Sequence, residues 1–133
     1  MNTYSKELIT FTFNQQIADE AGILFAPRLI PITRDEALEL GQKFASLVRR
    51  HLYQDARIFV FGSTIKGCAN LNSDIDIAVI SKKIDNNIIT DSVKLNEIAR
   101  EVSWHIEVHT IAWTDWCTGN PHVYEVQKWG VEV

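Results

Sequence analysis

Two aspartates separated by a single residue are the part of this chain with the clearest chemical meaning. Asp74 and Asp76 lie at the start of an apolar run, residues 75–80, that otherwise reads as a β-strand. Because side chains alternate along a strand, both carboxylates project from the same face. Adjacent like charges on one face repel each other, and a divalent cation with oxygen ligands offsets that cost. The pair therefore predicts a metal site.

A turn that suits an anion precedes the aspartates by a connector of ten residues. Gly62 and Ser63 follow a predicted strand over residues 57–61. A residue without a Cβ lets backbone amides approach an anion, and the serine hydroxyl can donate to it. Lys66 is a further candidate phosphate contact, with a solvated lysine as the alternative. The turn predicts a phosphate-binding site close to the metal site.

A third carboxylate lies on the next predicted strand, over residues 103–112. Glu107 belongs to the face of that strand opposite the apolar one. Three carboxylates and a phosphate-holding turn suit two-metal phosphoryl or nucleotidyl transfer. His105 and His109 share the face of Glu107, which leaves a zinc site open as an alternative to residues that flank the acidic centre or contact a partner.

The elements that must position these side chains alternate between helix and strand. Thr33 to Glu36 matches a capping box, which predicts a helix over 34–52, and Asn120-Pro121 predicts the start of a helix that ends at Gly130. Further helices are predicted within 4–21 and over 89–101, strands over 57–61, 74–80 and 103–112, a short helical turn at the start of 64–73, and an extended piece at 131–133. The order predicts an α/β fold: a small mixed β-sheet with helices packed on one face and carboxylates on the other. Residues 1–32 read as an N-terminal extension, a helix plus connector, and 33–133 as the domain.

Composition limits the function classes. The chain has 133 residues, of which 46% are hydrophobic and 23% charged, as expected for one globular domain. The net charge of −4 argues against stable nucleic-acid binding. Without a membrane-length apolar run or a signal-peptide pattern, the sequence predicts a cytoplasmic protein with no membrane partner. Cys68 and Cys117 lack metal-ligand spacing, so neither a disulfide framework nor a structural zinc site is expected.

The combined motif resembles the signature of a known superfamily. Gly62-Ser63, ten residues, and then Asp74-x-Asp76 is similar to the pattern of the polymerase-β-like nucleotidyltransferase superfamily, and the short chain resembles its minimal, antitoxin-type members. The likeness covers roughly residues 35–131, including the capped helix and the closing segment 120–130. The resemblance implies the nucleotidyltransferase fold.

The resemblance also implies roles for the site residues. Asp74 and Asp76 would bind Mg²⁺, and Ser63, with the amide of Gly62, would hold the β- and γ-phosphates of ATP. Glu107 matches the third, metal-binding carboxylate that helps to activate the acceptor hydroxyl. This position is often Asp in the family, so the longer Glu departs from the pattern and can shift the catalytic metal.

The family relation further implies a partner. Minimal members are often paired with a small all-helical protein, a toxin, and the implied reaction attaches AMP from ATP to a tyrosine of that partner. A hetero- or homo-oligomer is compatible with this reading. Two alternatives stay open: transfer to a small hydroxylated molecule such as an antibiotic, and a catalytically inactive antitoxin that acts by contact. Four tryptophans favour a buried partner surface: Trp104, Trp113, Trp116 and Trp129.

Overall fold

The computed structural model describes residues 29–133, apart from the side chain of His122. The helix predicted within residues 4–21 and the first part of the connector after it lie outside the described residues. The elements are α1 (Arg34–His51), β1 (Arg57–Phe61), α2 (Ser63–Lys66), β2 (Ile75–Ile80), α3 (Ile88–Val102), β3 (Ile106–Ile111), α4 (Trp113–Thr118), α5 (Pro121–Trp129) and β4 (Val131–Glu132).

The longest of these helices, α1, begins where the capping pattern predicts. The hydroxyl oxygen of Thr33 accepts a hydrogen bond from the backbone N–H of Glu36 at 3.2 Å, which satisfies one of the free amides of the first turn. One face of α1, which includes Leu40, Phe44 and Val48, is fully buried against the sheet. The predicted helix is therefore confirmed, and its end differs from the prediction by one residue.

The sheet is mixed, as predicted. Its strand order is β3-β2-β1-β4. Strand β1 pairs antiparallel with β2 and with β4, whereas β2 and β3 are parallel. A parallel neighbour requires a crossover connection, and α3 supplies it between β2 and β3.

Helices α1 and α3 cover one face of the sheet. That face presents Ile58, Val60 and Ile77, which are fully buried in the main core together with the inner sides of the two helices. The prediction of helices packed on one face of a mixed sheet is confirmed for this layer.

The structure adds a smaller layer on the opposite face. Phe59 and Phe61 point to that face because side chains alternate along β1, and they form a second cluster with Val123 and Val126 of α5. Trp116 of α4 packs against Phe59 with ring centroids 5.2 Å apart. Helices α4 and α5 therefore cover part of the carboxylate-bearing face, because the apolar residues of β1 on that face need burial.

Helix α4 is absent from the sequence prediction, which left residues 113–118 without an element. The residue before it, Ala112, cannot cap it with a polar side chain; instead, the N–H of Trp113 donates to the carbonyl of Ile84 at 2.8 Å, and the N–H of Thr114 donates to Oδ1 of Asp85 at 3.5 Å. Helix α5 begins at Pro121 as predicted, but the side chain of Asn120 makes no capping hydrogen bond.

Among residues 29–133, no helix has the length and apolar character that a bilayer crossing needs.

Candidate active site

The sheet register brings the two predicted metal-binding strands together. In the parallel pairing of β2 with β3, Asp76 lies opposite Glu107. In the antiparallel pairing of β1 with β2, the same aspartate lies opposite Phe61, the last residue before Gly62. Asp76 therefore sits between the third carboxylate on one side and the predicted phosphate turn on the other.

Gly62 is in direct contact with this aspartate. A Cβ placed on Gly62 would lie 2.2 Å from Oδ2 of Asp76 and 3.1 Å from its Cγ. The backbone of Gly62 has φ +82° and ψ −158°, a region that is almost restricted to glycine. Glycine is therefore required here for its backbone conformation and for the space that the carboxylate fills. Ser63 follows it as the first residue of the short helix α2, where it is half-buried.

A histidine completes the cluster. Nε2 of His109 lies 3.0 Å from Oδ1 of Asp76 and 4.0 Å from Oε1 of Glu107. Its ring packs against Phe61 in a T-shaped arrangement, with ring centroids 5.0 Å apart. Hydrogen bonding to Asp76 raises the pKa of His109, and the negative charges of Asp76 and Glu107 add to this effect. The imidazole is thus held against the carboxylates at the centre of the site.

The acidic residues influence one another's protonation. Desolvation at the sheet surface raises the pKa of Glu107, and the hydrogen bond with Asp76 and the charges of both aspartates raise it further, while His109 opposes the shift. Desolvation and the charge of Asp76 raise the pKa of Asp74, and Arg100 opposes that shift. After desolvation, part of each shift comes from a neighbouring carboxylate, and a bound cation would relieve that repulsion.

Among the described residues, the group whose ligand atoms lie close enough together to hold one metal ion is Asp76, Glu107 and His109. Asp74 lies one residue before β2, is exposed and stands outside this group, although its charge reaches the other two acids. His105, which shares the predicted face of Glu107, also stands outside it. The metal-binding roles of Asp74, Asp76 and Glu107 remain predictions.

Lys66 has a partner in the structure. Its Nζ lies 2.5 Å from Oε1 of Glu125 and 5.6 Å from the ring centre of Trp129, both on α5. The side chain remains 36% exposed, so a solvated lysine is compatible with this surface ion pair. Contact between Lys66 and a phosphate stays a prediction and requires the lysine to leave Glu125 or to bridge the two groups.

The sequence left the role of His109 open between a zinc ligand, a residue flanking the acidic centre and a partner contact, and the structure places its Nε2 3.0 Å from Oδ1 of Asp76. The signal was present: Glu107 and His109 are two residues apart on one strand, so they share a face. What the sequence lacks is the parallel register that places Ala78 opposite His109 and thereby brings the imidazole next to Asp76.

The donor set is suitable for a divalent cation. Carboxylate oxygens are ligands for Mg²⁺ and Mn²⁺, and an imidazole nitrogen suits the transition metals. Ligand atoms about 2.1 Å from one ion can be at most about 4.2 Å apart. The separations from His109 Nε2 are 3.0 and 4.0 Å, and all three ligand atoms lie within 4.8 Å of one another, so at most a small movement of the exposed Glu107 side chain is needed. The residues present therefore fit a metal ion.

Comparison with known proteins identifies the family. The sequence matches the family model of the nucleotidyltransferase domain over residues 42–122, more than half of the chain. The matched region begins within α1, ends at the start of α5, and contains Gly62, both aspartates and Glu107. No curated protein matches the sequence. The mixed sheet, the register of the acidic residues and this match agree, and the chain belongs to the nucleotidyltransferase domain family.

Proposed function

We propose that this protein is a magnesium-dependent nucleotidyltransferase that moves AMP from ATP to a hydroxyl group of a partner protein, as the antitoxin of a pair with a small helical toxin. The observation that carries the proposal is the contact between Gly62 and Asp76, with Glu107 opposite Asp76 in the sheet register. It puts a turn suited to phosphate beside carboxylates suited to a divalent ion. Nucleotidyl transfer from a triphosphate needs both groups within a few ångströms of each other.

In the proposed reaction, the acceptor oxygen bonds to the α-phosphorus of ATP while the bond to the pyrophosphate oxygen breaks. Ser63 and the backbone at Gly62 would hold the β- and γ-phosphates, and Asp74, Asp76 and Glu107 would hold the metal. Glu107, as the third metal-binding carboxylate, would help to activate the acceptor hydroxyl, whose proton passes to the surrounding water. When bound there, a divalent ion would neutralise the triphosphate charge and lower the pKa of the attacking hydroxyl.

The exposure of Glu107 supports an acceptor on a macromolecule. Its side chain is 57% exposed, whereas those of Asp76 and His109 are 24% and 30% exposed. A partner protein can therefore bring a tyrosine hydroxyl to Glu107 from solvent. A small acceptor gains most of its affinity from being enclosed in a pocket. The open groove of about 620 Å³ along α3, lined by residues such as Ile89 and Val93, contains none of the clustered acids and provides no such enclosure beside Glu107.

The test uses ATP labelled at the α-phosphate or at the γ-phosphate. Purified protein is incubated with Mg²⁺, ATP and the helical protein encoded by the neighbouring reading frame, and the label on each chain is measured. The proposal predicts that α-label appears on the partner and that γ-label does not, because the β- and γ-phosphates leave as pyrophosphate. Intact-mass spectrometry should show the addition of one or more adenylate groups to the partner.

Two variants serve as controls. Asp76→Asn keeps the shape of the side chain but removes its charge, so it should abolish labelling. Glu107→Gln should bind ATP almost normally and slow the transfer step, since its proposed role is in acceptor activation. If wild-type protein and Asp76→Asn neutralise the partner equally and neither transfers label, the protein acts by contact. If label reaches only small hydroxylated compounds, the acceptor in this proposal is wrong.

A further inference from the structure

We infer that His109 is a direct ligand in the metal site, and that the pocket formed by Asp76, Glu107 and His109 binds Mn²⁺, Co²⁺ or Zn²⁺ in preference to Mg²⁺. The inference deepens the proposed function, because it concerns the metal of the same site. It rests on the position of the imidazole nitrogen between two carboxylates.

The distances suit coordination. Nε2 of His109 faces Oδ1 of Asp76 at 3.0 Å and Oε1 of Glu107 at 4.0 Å. An ion about 2.1 Å from each atom would see the first pair at an angle of roughly 90° and the second at roughly 145°. Both angles are accessible to ions with five or six ligands, and small rotations of the exposed Glu107 side chain would reduce the wider one.

The surroundings keep the imidazole in place. His109 lies on β3, where the parallel pairing with β2 fixes its Cα opposite Ala78, and its ring packs against Phe61. Phe61 is buried in the cluster beneath α4 and α5. The nitrogen is therefore directed at the carboxylates by the sheet and by an aromatic neighbour.

The chemistry of the donor determines which ion is favoured. A site made of carboxylate and water oxygens suits Mg²⁺, which prefers oxygen ligands. An imidazole nitrogen strengthens binding of the first-row transition ions, along the series from Mn²⁺ to Cu²⁺, with little gain for Mg²⁺. Asp74 and the phosphates of a bound nucleotide would supply only oxygen ligands, which suit Mg²⁺, so Mg²⁺ would serve at their side of the site.

The experiment measures metal affinity without nucleotide or partner. Mg²⁺, Mn²⁺, Co²⁺ and Zn²⁺ are titrated into the purified protein in mildly alkaline buffer by calorimetry, and the visible absorption of bound Co²⁺ is recorded. His109→Gln is the test variant, because its amide can still donate to Asp76 but is a poor ligand for these ions. His105→Gln, on the same segment but outside the cluster, is the matched control.

The inference predicts tighter binding of Co²⁺ and Zn²⁺ than of Mg²⁺ to wild-type protein, and the same preference in His105→Gln. In His109→Gln, Co²⁺ and Zn²⁺ affinity should fall at least about 10-fold, Mg²⁺ affinity should change little, and the Co²⁺ spectrum should change. Equal losses for all four ions would show that His109 only orients Asp76, and unchanged affinities would show that it has no role; both results overturn the inference. The titrations contain no ATP and no partner. Their outcome is therefore independent of whether the protein transfers AMP, and the failure of this inference can be told apart from the failure of the proposed function.

Discussion

Replacement of Gly62 by alanine tests whether the contact between the turn and Asp76 is what builds the site. A Cβ on Gly62 would lie 2.2 Å from Oδ2 of Asp76, whereas real Cβ contacts essentially never fall below 3.0 Å. The carboxylate must therefore move by roughly 1 Å, and a displacement of that size in a reacting group can cost about 10²-fold in rate. The backbone conformation of Gly62 adds a cost of about 1–3 kcal/mol when another residue occupies it.

Gly67→Ala is the matched control for Gly62→Ala. Gly67 also has a positive φ, +76°, but a Cβ there would meet nothing within 4 Å. Alanine at this position should cost about 1–2 kcal/mol of backbone strain and leave Asp76 in place. The comparison separates loss of stability from displacement of the carboxylate.

Urea unfolding and metal titration by calorimetry measure the two effects. We expect both variants to fold with lowered unfolding midpoints, Gly62→Ala more so, and only Gly62→Ala to lose divalent-metal affinity and about 10²-fold of its transfer rate. If Gly62→Ala binds metal and transfers nucleotide as well as Gly67→Ala does, the contact with Asp76 does not determine the site, and the reasoning is wrong.

Two further predictions concern stability. The hydrogen bonds and charge of Arg57 lower the pKa of Glu132. The stabilisation from this pair is therefore present above the ordinary glutamate pKa and is lost as the pH falls through the lowered value. Glu132→Gln should lose less stability than wild type as the pH falls below about 4, and urea midpoints that change in parallel with pH in the two proteins would contradict this. Thr64 is 1% exposed, and its hydroxyl has no hydrogen-bond partner within the described part of the chain. Thr64→Val should therefore raise the free energy of unfolding by about 1 kcal/mol. A urea midpoint lower in the variant than in wild type would show that the hydroxyl is hydrogen-bonded.

Local sequence signals predicted most of the fold because they act over a few residues. The hydroxyl of Thr33 caps α1, Gly62 ends β1, and Pro121 opens α5, each for reasons contained in the neighbouring sequence. Strand bounds were harder to place: the third strand was predicted over 103–112 but is Ile106–Ile111. Ser103 and the residues after it read as alternating, yet Ser103 ends α3 as its capping residue.

Helix α4 was missed because its causes are distant in sequence. Neither a polar cap nor a helical stripe marks residues 113–118, and Trp116 is held by Phe59 and by Arg57, whose guanidinium carbon lies 5.5 Å from the ring centre.

The site shows the same limit of prediction from local sequence. The pairing of Asp76 with Glu107 depends on parallel register, and the pairing of Lys66 with Glu125 depends on how α5 packs, so alternation and spacing alone could predict neither.

The two-residue strand β4 has a consequence for the order in which the molecule forms. Its partners are Phe59↔Glu132 and Val60↔Val131, more than 70 positions apart in the chain, whereas β1 and β2 are neighbours in sequence. Contacts that close long loops form late and contribute little until the rest is folded. We therefore expect the sheet to grow from the β1–β2 pair outward, with β4 and the preceding α5 docking last. Since α5 carries Glu125 beside the turn, the final docking step is also the one that completes the surroundings of the phosphate turn.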